Sequence, residues 1–530
     1  MIRRAGAVGA SLLPALLAAC SFVSGLDDFS LTSGAATSGA GGDWPPACPG
    51  DPVSDPALVQ NDCGFFVSAN AAPGGDGTKE KPLNTFAAAA ALGATRIYAC
   101  AERYDEAAGV KFSGGAELFA GFTDCGPAGA WAWGETSKAT LNGPANEVAL
   151  TLDGSNYLLR NLNVKAADAT TAGASSIAVV VNKGKLDVVD GSLTAGNAQN
   201  GAAGPSLDPD MALNGGDGDP GVGVCGSGAN NPGPMGKTKM CSTGGTSVSG
   251  KGGDGGELMG TMLLAAQTGG NGTPPDPAQP DLGLGGRGEG QGTPPATQCS
   301  RGEEGAVGAP GTSGGGATGA GTLSVTGYSG VAGEAGTSGK PGQGGGGGGG
   351  AKGGLNITCP GAGTANRVGG SGGAGGTGGC GGTGGGGGKA GGSSIALVAL
   401  ESSVTLSGVT LSAGRAGNGG AGGDGQTGGF RGSGGDGGPP AGTAKGSCDG
   451  GSGGDGGPGG PGGGGQGGHS LGIALQGGTA PAGGTFQIDA MNKGVGGPGG
   501  LTNNTPMNGK GTDGMATNCW DFAEKASCGG

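Results

Sequence analysis

Histidine occurs once in this chain, at His469; aromatic residues make up 4% of it and charged residues 13%. Each scarcity removes a class of answer. Most acid–base and nucleophilic mechanisms draw on histidine, and a lone one just ahead of an apolar segment reads as a polar residue where a strand begins. With so few large apolar side chains to offset ordering entropy, one large globular core is not expected. Long disordered tails are usually rich in charge, and this chain is not. No CxxC pair and no Cys/His cluster at zinc spacing occurs, so the sequence calls for no metal and no cofactor. The net charge of −13 argues against nucleic acid and anionic membrane surfaces as electrostatic partners. The apolar run at residues 5–19 is too short to cross a bilayer comfortably as a helix.

What the chain has is glycine. The 143 glycines and 31 prolines form about a third of its 530 residues, a low-complexity composition. The glycines count in threes. Val368, Ser371, Ala374, Thr377, Cys380 and Thr383 are each separated by a glycine pair. Asn418, Ala421, Asp424, Thr427, Phe430, Ser433, Asp436 and Pro439 keep the same period, as do Ser452, Asp455, Pro458 and Pro461. A spacer chosen only for flexibility has no reason to count to three. A polyproline-II backbone has three residues per turn. With glycine at two of three positions, two edges are bare, neighbours can exchange N–H···O=C bonds there, and the third edge carries side chains outward. This is a polyglycine-II-like packing. Collagen is the nearest rival, since residues 302–314 and 327–344 fit G-X-Y, but these runs are short and broken by residues 322–326. Plain disorder is the other alternative, because isolated triplets lose too much entropy to hold without neighbours, a β wall or disulfides.

Between the glycine segments lie strand-like repeats. Residues 175–196 align without gaps to residues 393–414: Ile177, Val179, Leu186, Val188 and Leu193 match Ile395, Leu397, Val404, Leu406 and Leu411. The apolar alternation is that of strands. Residues 469–490 are a looser third copy, and Thr322, Leu323, Ser324 and Val325 read as a further coil strand. Such repeats suit stacked coils, with the glycine segments inserted from one face.

The N-terminus, with Arg3 and Arg4 before the apolar run, has the layout of a secretory signal. Leu17, Ala18, Ala19 and Cys20 resemble the bacterial lipobox. The resemblance implies cleavage before Cys20, lipidation of its thiol and a membrane anchor, with Ser21 pointing to the outer membrane. Setting Cys20 aside, twelve cysteines remain, an even number that suits disulfides in an exported chain. Near neighbours give the plausible pairs Cys48–Cys63, Cys100–Cys125, Cys225–Cys241 and Cys519–Cys528; the connectivity stays open.

From Cys63 the order of events is a short strand from Phe65, a turn at Gly74 to Thr78, a helix opened by Pro82 and running through Phe86, a strand from Arg96, and a turn at Tyr104 to Glu106. Phe119, Ala120, Gly121 and Phe122 follow, then Trp131 and Trp133. Residues 63–164 resemble the N-terminal cap of secreted bacterial proteins of the pectate-lyase-like, right-handed parallel β-helix superfamily. Ala101 and Ala120 stand where that group carries glycine. Many members cleave or bind polysaccharides, which implies carboxylate clusters on the flank. The coils offer Asp153, Arg160, Asp187, Asp190 and Glu401, which read as scattered solvent-facing strand residues. The GGDG units at Asp217, Asp254, Asp424, Asp436 and Asp455 lack the spacing of calcium nonapeptides and read as loop carboxylates. A phosphate-loop likeness at residues 233–238 fails because Asn231 occupies a required glycine position.

The sequence therefore predicts an all-β solenoid, a right-handed parallel β-helix with long glycine-rich, polyproline/polyglycine-II-like insertions. Its parts are a signal peptide (1–19), a lipidated tether (20–47), a cap with first coils (48–196), glycine-rich insertions with sparse strands (197–392), a coil (393–414), a glycine-rich insertion (415–468), and a last coil with a disulfide-clipped end (469–530). The expected role is a lipid-anchored structural or adhesive protein of the cell envelope without catalytic activity. Its partners would be the membrane, through Cys20, and extracellular polysaccharide or other surface proteins. The alternative is a carbohydrate-binding or polysaccharide-cleaving β-helix protein.

Overall fold

The computed structural model describes residues 48–226, 229–502, 505–506 and 509–528. The signal, Cys20 and the tether lie outside the described residues.

Apolar alternation in the repeats becomes a stack of parallel strands. Its main row is β1 (Phe65–Val67), β2 (Arg96–Cys100), β3 (Ala116–Thr123), β4 (Val148–Arg160), β5 (Ser176–Val189), β6 (Ser394–Ala413), β7 (Ser470–Gly478) and β8 (Ala516–Asp521). A second parallel row holds Arg103–Asp105, Ala139–Asn142, Leu162–Lys165, Ser192–Ala195, the end of β6, and Ala482–Ile488. The sheet is strongly curled and solenoid-like, and its inward side chains form one apolar core.

Register shows how the repeats stack. Ile177 lies opposite Val148 on one side and Ile395 on the other, and Ile395 lies opposite Leu471. The gap-free alignment of residues 175–196 with 393–414 is thus a true strand register. One neighbouring coil is 29 residues away and the next 218, so the intervening glycine segment leaves the stack and returns in phase. The chain turns corners at equivalent positions. Gly154, Lys183, Glu401 and Gly477 take positive φ at one corner, and Asn161, Asp190 and Gly408 at the other. Asparagine and aspartate tolerate this left-handed region better than most side chains.

Both outer faces near the ends are covered, so the strands there are apolar on both sides. At the N-terminal end Phe66, Tyr98, Phe119, Phe122 and Trp131 pack beneath residues 48–63. Arg96 is buried there, paired with Glu117 at 3.1 Å and donating to the carbonyls of Cys48 and Gly50. A buried charge needs such partners. The short helix Phe86–Ala91 begins at Thr85, whose hydroxyl accepts from Ala88 N–H, and not at Pro82. Tyr104 sits in a strand and not a turn, and its hydroxyl donates into the carbonyls that border the core.

Thr322–Ser324 is not a coil strand. It pairs antiparallel with Gly327–Ser329, and this hairpin lays Leu323 and Tyr328 on the outer face against Ile177, Ile395 and Leu471. Three residues cannot make a corner-to-corner coil, but they can cover one. Among the described residues no helix is long and apolar enough to cross a membrane.

Candidate functional site

The glycine segments form a hydrogen-bonded lattice. Residues 344–351 show its rule. Gly345, Gly348 and Ala351 donate to Gly376, Gly373 and Gly370; Gly346 and Gly349 to Glu303 and Ser300; Gly344, Gly347 and Gly350 to Thr273, Gly270 and Gln267. Successive N–H groups point at three different neighbours and the pattern repeats every third residue. Three further segments donate back: Gly250, Gly253 and Gly256 on one side, Gly286 and Glu289 on another, Gly451 and Cys448 on a third. This strand has six neighbours and no free edge. A β-carbon on any residue from 344 to 350 would come closer than 3.0 Å to a neighbour's carbonyl oxygen. That is why seven glycines stand in a row: the backbones approach too closely for any side chain. Buried peptide groups that glycine leaves bare are thereby paired.

Toward the rim every third residue regains a side chain. Asp424, Thr427, Phe430, Ser433, Asp436 and Pro439 are exposed. Residues 368–385 depart from the expectation that this ridge faces outward: Ser371, Ala374, Thr377 and Cys380 are buried. Residues 213–224 cover them, with the Ser371 and Thr377 hydroxyls accepting from the N–H groups of Val222 and Gly216. A second rule then appears. The side chain of one rim strand accepts the outward N–H of the next. Asp217 takes Ser433 N–H, Asp254 takes Gly233, Asp424 takes Leu501 and Asp455 takes Arg431, at 2.7–2.9 Å. Four GGDG aspartates thus act as backbone caps.

Six disulfides staple the body. Cys48–Cys63, Cys100–Cys125 and Cys519–Cys528 join near neighbours. Cys225 and Cys241 do not pair with each other. Cys225 joins Cys359, Cys241 joins Cys380 and Cys299 joins Cys448, at sequence separations of 134, 139 and 149. Nearness in sequence is a poor guide in a lattice whose adjacent strands come from distant parts of the chain.

The scattered flank residues are not brought into one site. Asp153 pairs with Lys111 at 3.1 Å and accepts from Asn182, and these hydrogen bonds hold its carboxyl below the usual range. Arg160 pairs with Asp51 at 2.9 Å and lies over the Trp133 ring. Asp187 pairs with Lys185; Asp190 and Glu401 occupy corners. No group of three or more His, Cys, Asp or Glu side chains able to hold a metal occurs among the described residues.

His469 is buried immediately before β7. Its Nδ1 accepts from Met515 N–H at 3.0 Å and its Nε2 lies 2.8 Å from the Ala320 carbonyl. That pair of partners selects the neutral ring protonated at Nε2, and burial lowers its pKa. It is a structural tie between the covering hairpin, the lattice and the last strands. Beside it opens a cleft of about 710 Å³ bordered by Trp520, Phe522 and Lys525. The sequence marks this end as a last coil with a disulfide clip and gives no site there; the one visible signal is an aromatic pair, Trp520 and Phe522, in a chain poor in aromatics.

No family model, curated protein or solved structure matches the chain.

Proposed function

We propose that this chain is an exported protein tethered to the cell envelope, at the outer membrane or cell surface, through a lipid on Cys20. In this reading a right-handed parallel β-helix, related to pectate-lyase-like proteins, carries a polyglycine-II-like bundle as a rigid structural or adhesive body without catalytic activity. The observation that carries the reading is the six-neighbour environment of residues 344–350. A body whose strands are hydrogen-bonded to neighbours on every side would resist bending and proteolysis, and the Asp, Ser and Thr side chains of its rim would face partners. At polyproline-II rise, residues 369–392 would reach on the order of 70 Å. Six disulfides suit an oxidising compartment.

Two measurements test it. Fatty-acid labelling and fractionation of cells expressing the wild type and Cys20→Ala should show the label and the membrane pool lost together. Protease digestion of oxidised protein should leave the lattice uncut. A membrane pool that survives Cys20→Ala removes the anchor; cutting within residues 344–350 removes the rigid body.

A further inference from the structure

We propose that the bare edge of the strand Ala482–Ile488 takes up an extended segment of a partner polypeptide as one more strand of the stack. This rests on the adhesive half of the reading above and gives it a partner class: an uncharged peptide strand with apolar side chains at alternate positions.

Two rows of stacked strands have four ends, and an open end shows unpaired N–H and C=O groups. Three of the four are guarded. At the start of the main row Phe66 N–H donates to the Gly77 carbonyl, and the N–H groups of Leu83 and Ser68 donate to the carbonyls of Phe66 and Leu83. At its far end Ala526–Ser527 pairs antiparallel with β8. The second row starts with three residues, Arg103–Asp105, which carry an exposed ion pair of 2.9 Å between Arg103 and Asp105. Shortness and charge both discourage pairing at an edge. The fourth end has none of these devices. Ala482–Ile488 is seven residues long, holds no charge and no proline, and among the described residues pairs with β6 alone.

This edge lies in a recess. The main row continues past β7 to β8 and then to Ala526–Ser527, whereas the second row stops level with β7. Two strand spacings of about 4.8 Å put the edge on the order of 10 Å below the end of the main row. A single strand fits beside it; the end of a second copy would meet the projecting main row first. One strand earlier, Thr410–Ala413 is buried or half-buried throughout. Here Ala482, Gly483, Gly484, Thr485 and Gln487 are exposed.

The stacking that fills the row also says what would extend it. Tyr104, Leu141, Val164, Leu193, Leu411 and Phe486 lie opposite one another in turn and form one inward column. The first five are buried, each beneath the next. Phe486 is the last member and is only half-buried. A residue that continues this column must be apolar. Its neighbours fall on the outer face, as Thr194, Ser412 and Gln487 do, and are polar. Main-chain bonds would supply the affinity and the column the register.

The test uses the purified, oxidised full chain and a capped synthetic peptide with the sequence of residues 408–414, the strand that already pairs with this edge from its other side. Hydrogen exchange over residues 482–488 is followed by mass spectrometry. Peptide at about ten times its Kd should slow exchange there about tenfold. Residues 65–67, whose edge is already paired, should not change. A peptide carrying Leu411→Lys, which sets a charge into the column, and one carrying Ser412→Pro, which removes a ladder N–H, should each bind at least about tenfold more weakly. Three results would overturn the proposal. One is no protection at about 1 mM peptide. Another is equal binding of the Leu411→Lys peptide. The third is protection that rises with protein concentration in the absence of peptide, which would make the occupant a second copy. Protease resistance of residues 344–350 in the same sample separates a failure at this edge from a failure of the rigid-body reading.

Discussion

Replacing Gly347 by alanine sets one methyl group against the lattice from within. The new carbon would lie closer than 3.0 Å to the Lys251 carbonyl, which already accepts from Gly270 N–H at 2.7 Å. Backbone cannot rotate aside as a side chain can, so the segment at residues 250–253 must retreat. Its bonds Gly250 to Gly345 and Gly253 to Gly348, both 2.8 Å, and the Gly270 to Lys251 bond then lengthen together. Three bonds at about 1 kcal/mol net each amount to about 3 kcal/mol. Alanine returns roughly 0.4–1 kcal/mol by restricting the unfolded chain. The expected net loss is about 2 kcal/mol, within the usual range for overpacking. Gly126→Ala is the control: its φ is not positive and nothing lies within 4 Å of the added carbon, so it should be neutral or slightly stabilising. Native-state amide exchange reads both variants. Gly347→Ala should speed exchange across residues 344–350 and 250–253 by about thirtyfold, and Gly126→Ala should not. Equal exchange in the two variants would refute the close-approach account.

Other outcomes follow from the same geometry. On the chain-entropy account, removing Cys225–Cys359, Cys241–Cys380 or Cys299–Cys448 as a Ser pair should cost about 5 kcal/mol each, against about 2.5 kcal/mol for Cys519–Cys528, whose separation is 9; thermal scans of the variants check the order. Asp424→Ala strips the cap from Leu501 N–H and should cost about 1 kcal/mol, whereas Asp424→Asn keeps an acceptor and should cost little. His469 has a folded pKa below its unfolded value near 6.5, so the unfolded chain takes up the proton first. Its contribution to stability is full above about pH 6.5 and falls as pH drops toward the lowered folded value. Denaturation midpoints should therefore fall between pH 7.5 and 5.5 in the wild type, and less steeply in His469→Gln.

Local devices are legible in the amino-acid order alone. Alternation in residues 175–196 and 393–414 fixed both the strands and their register, because a slip of one residue would turn every apolar side chain outward. The three-residue period pointed to a three-fold, polyglycine-II-like backbone, with collagen and disorder as alternatives, and the hydrogen-bonded lattice is what decides for order. Tertiary structure decided which strands lie side by side. Glycine has no side chain with which to specify a neighbour, so nothing in residues 344–350 names Gly270, Ser300 or Gly376 as partners. The same ambiguity hid the long-range disulfides and the burial of Ser371 and Thr377. It also hid the cleft, which exists only because a hairpin at residues 322–329 folds back beside strands that follow it by more than 140 residues. Side chains carry address information and bare peptide groups do not; where this chain is bare, only the assembled lattice decides.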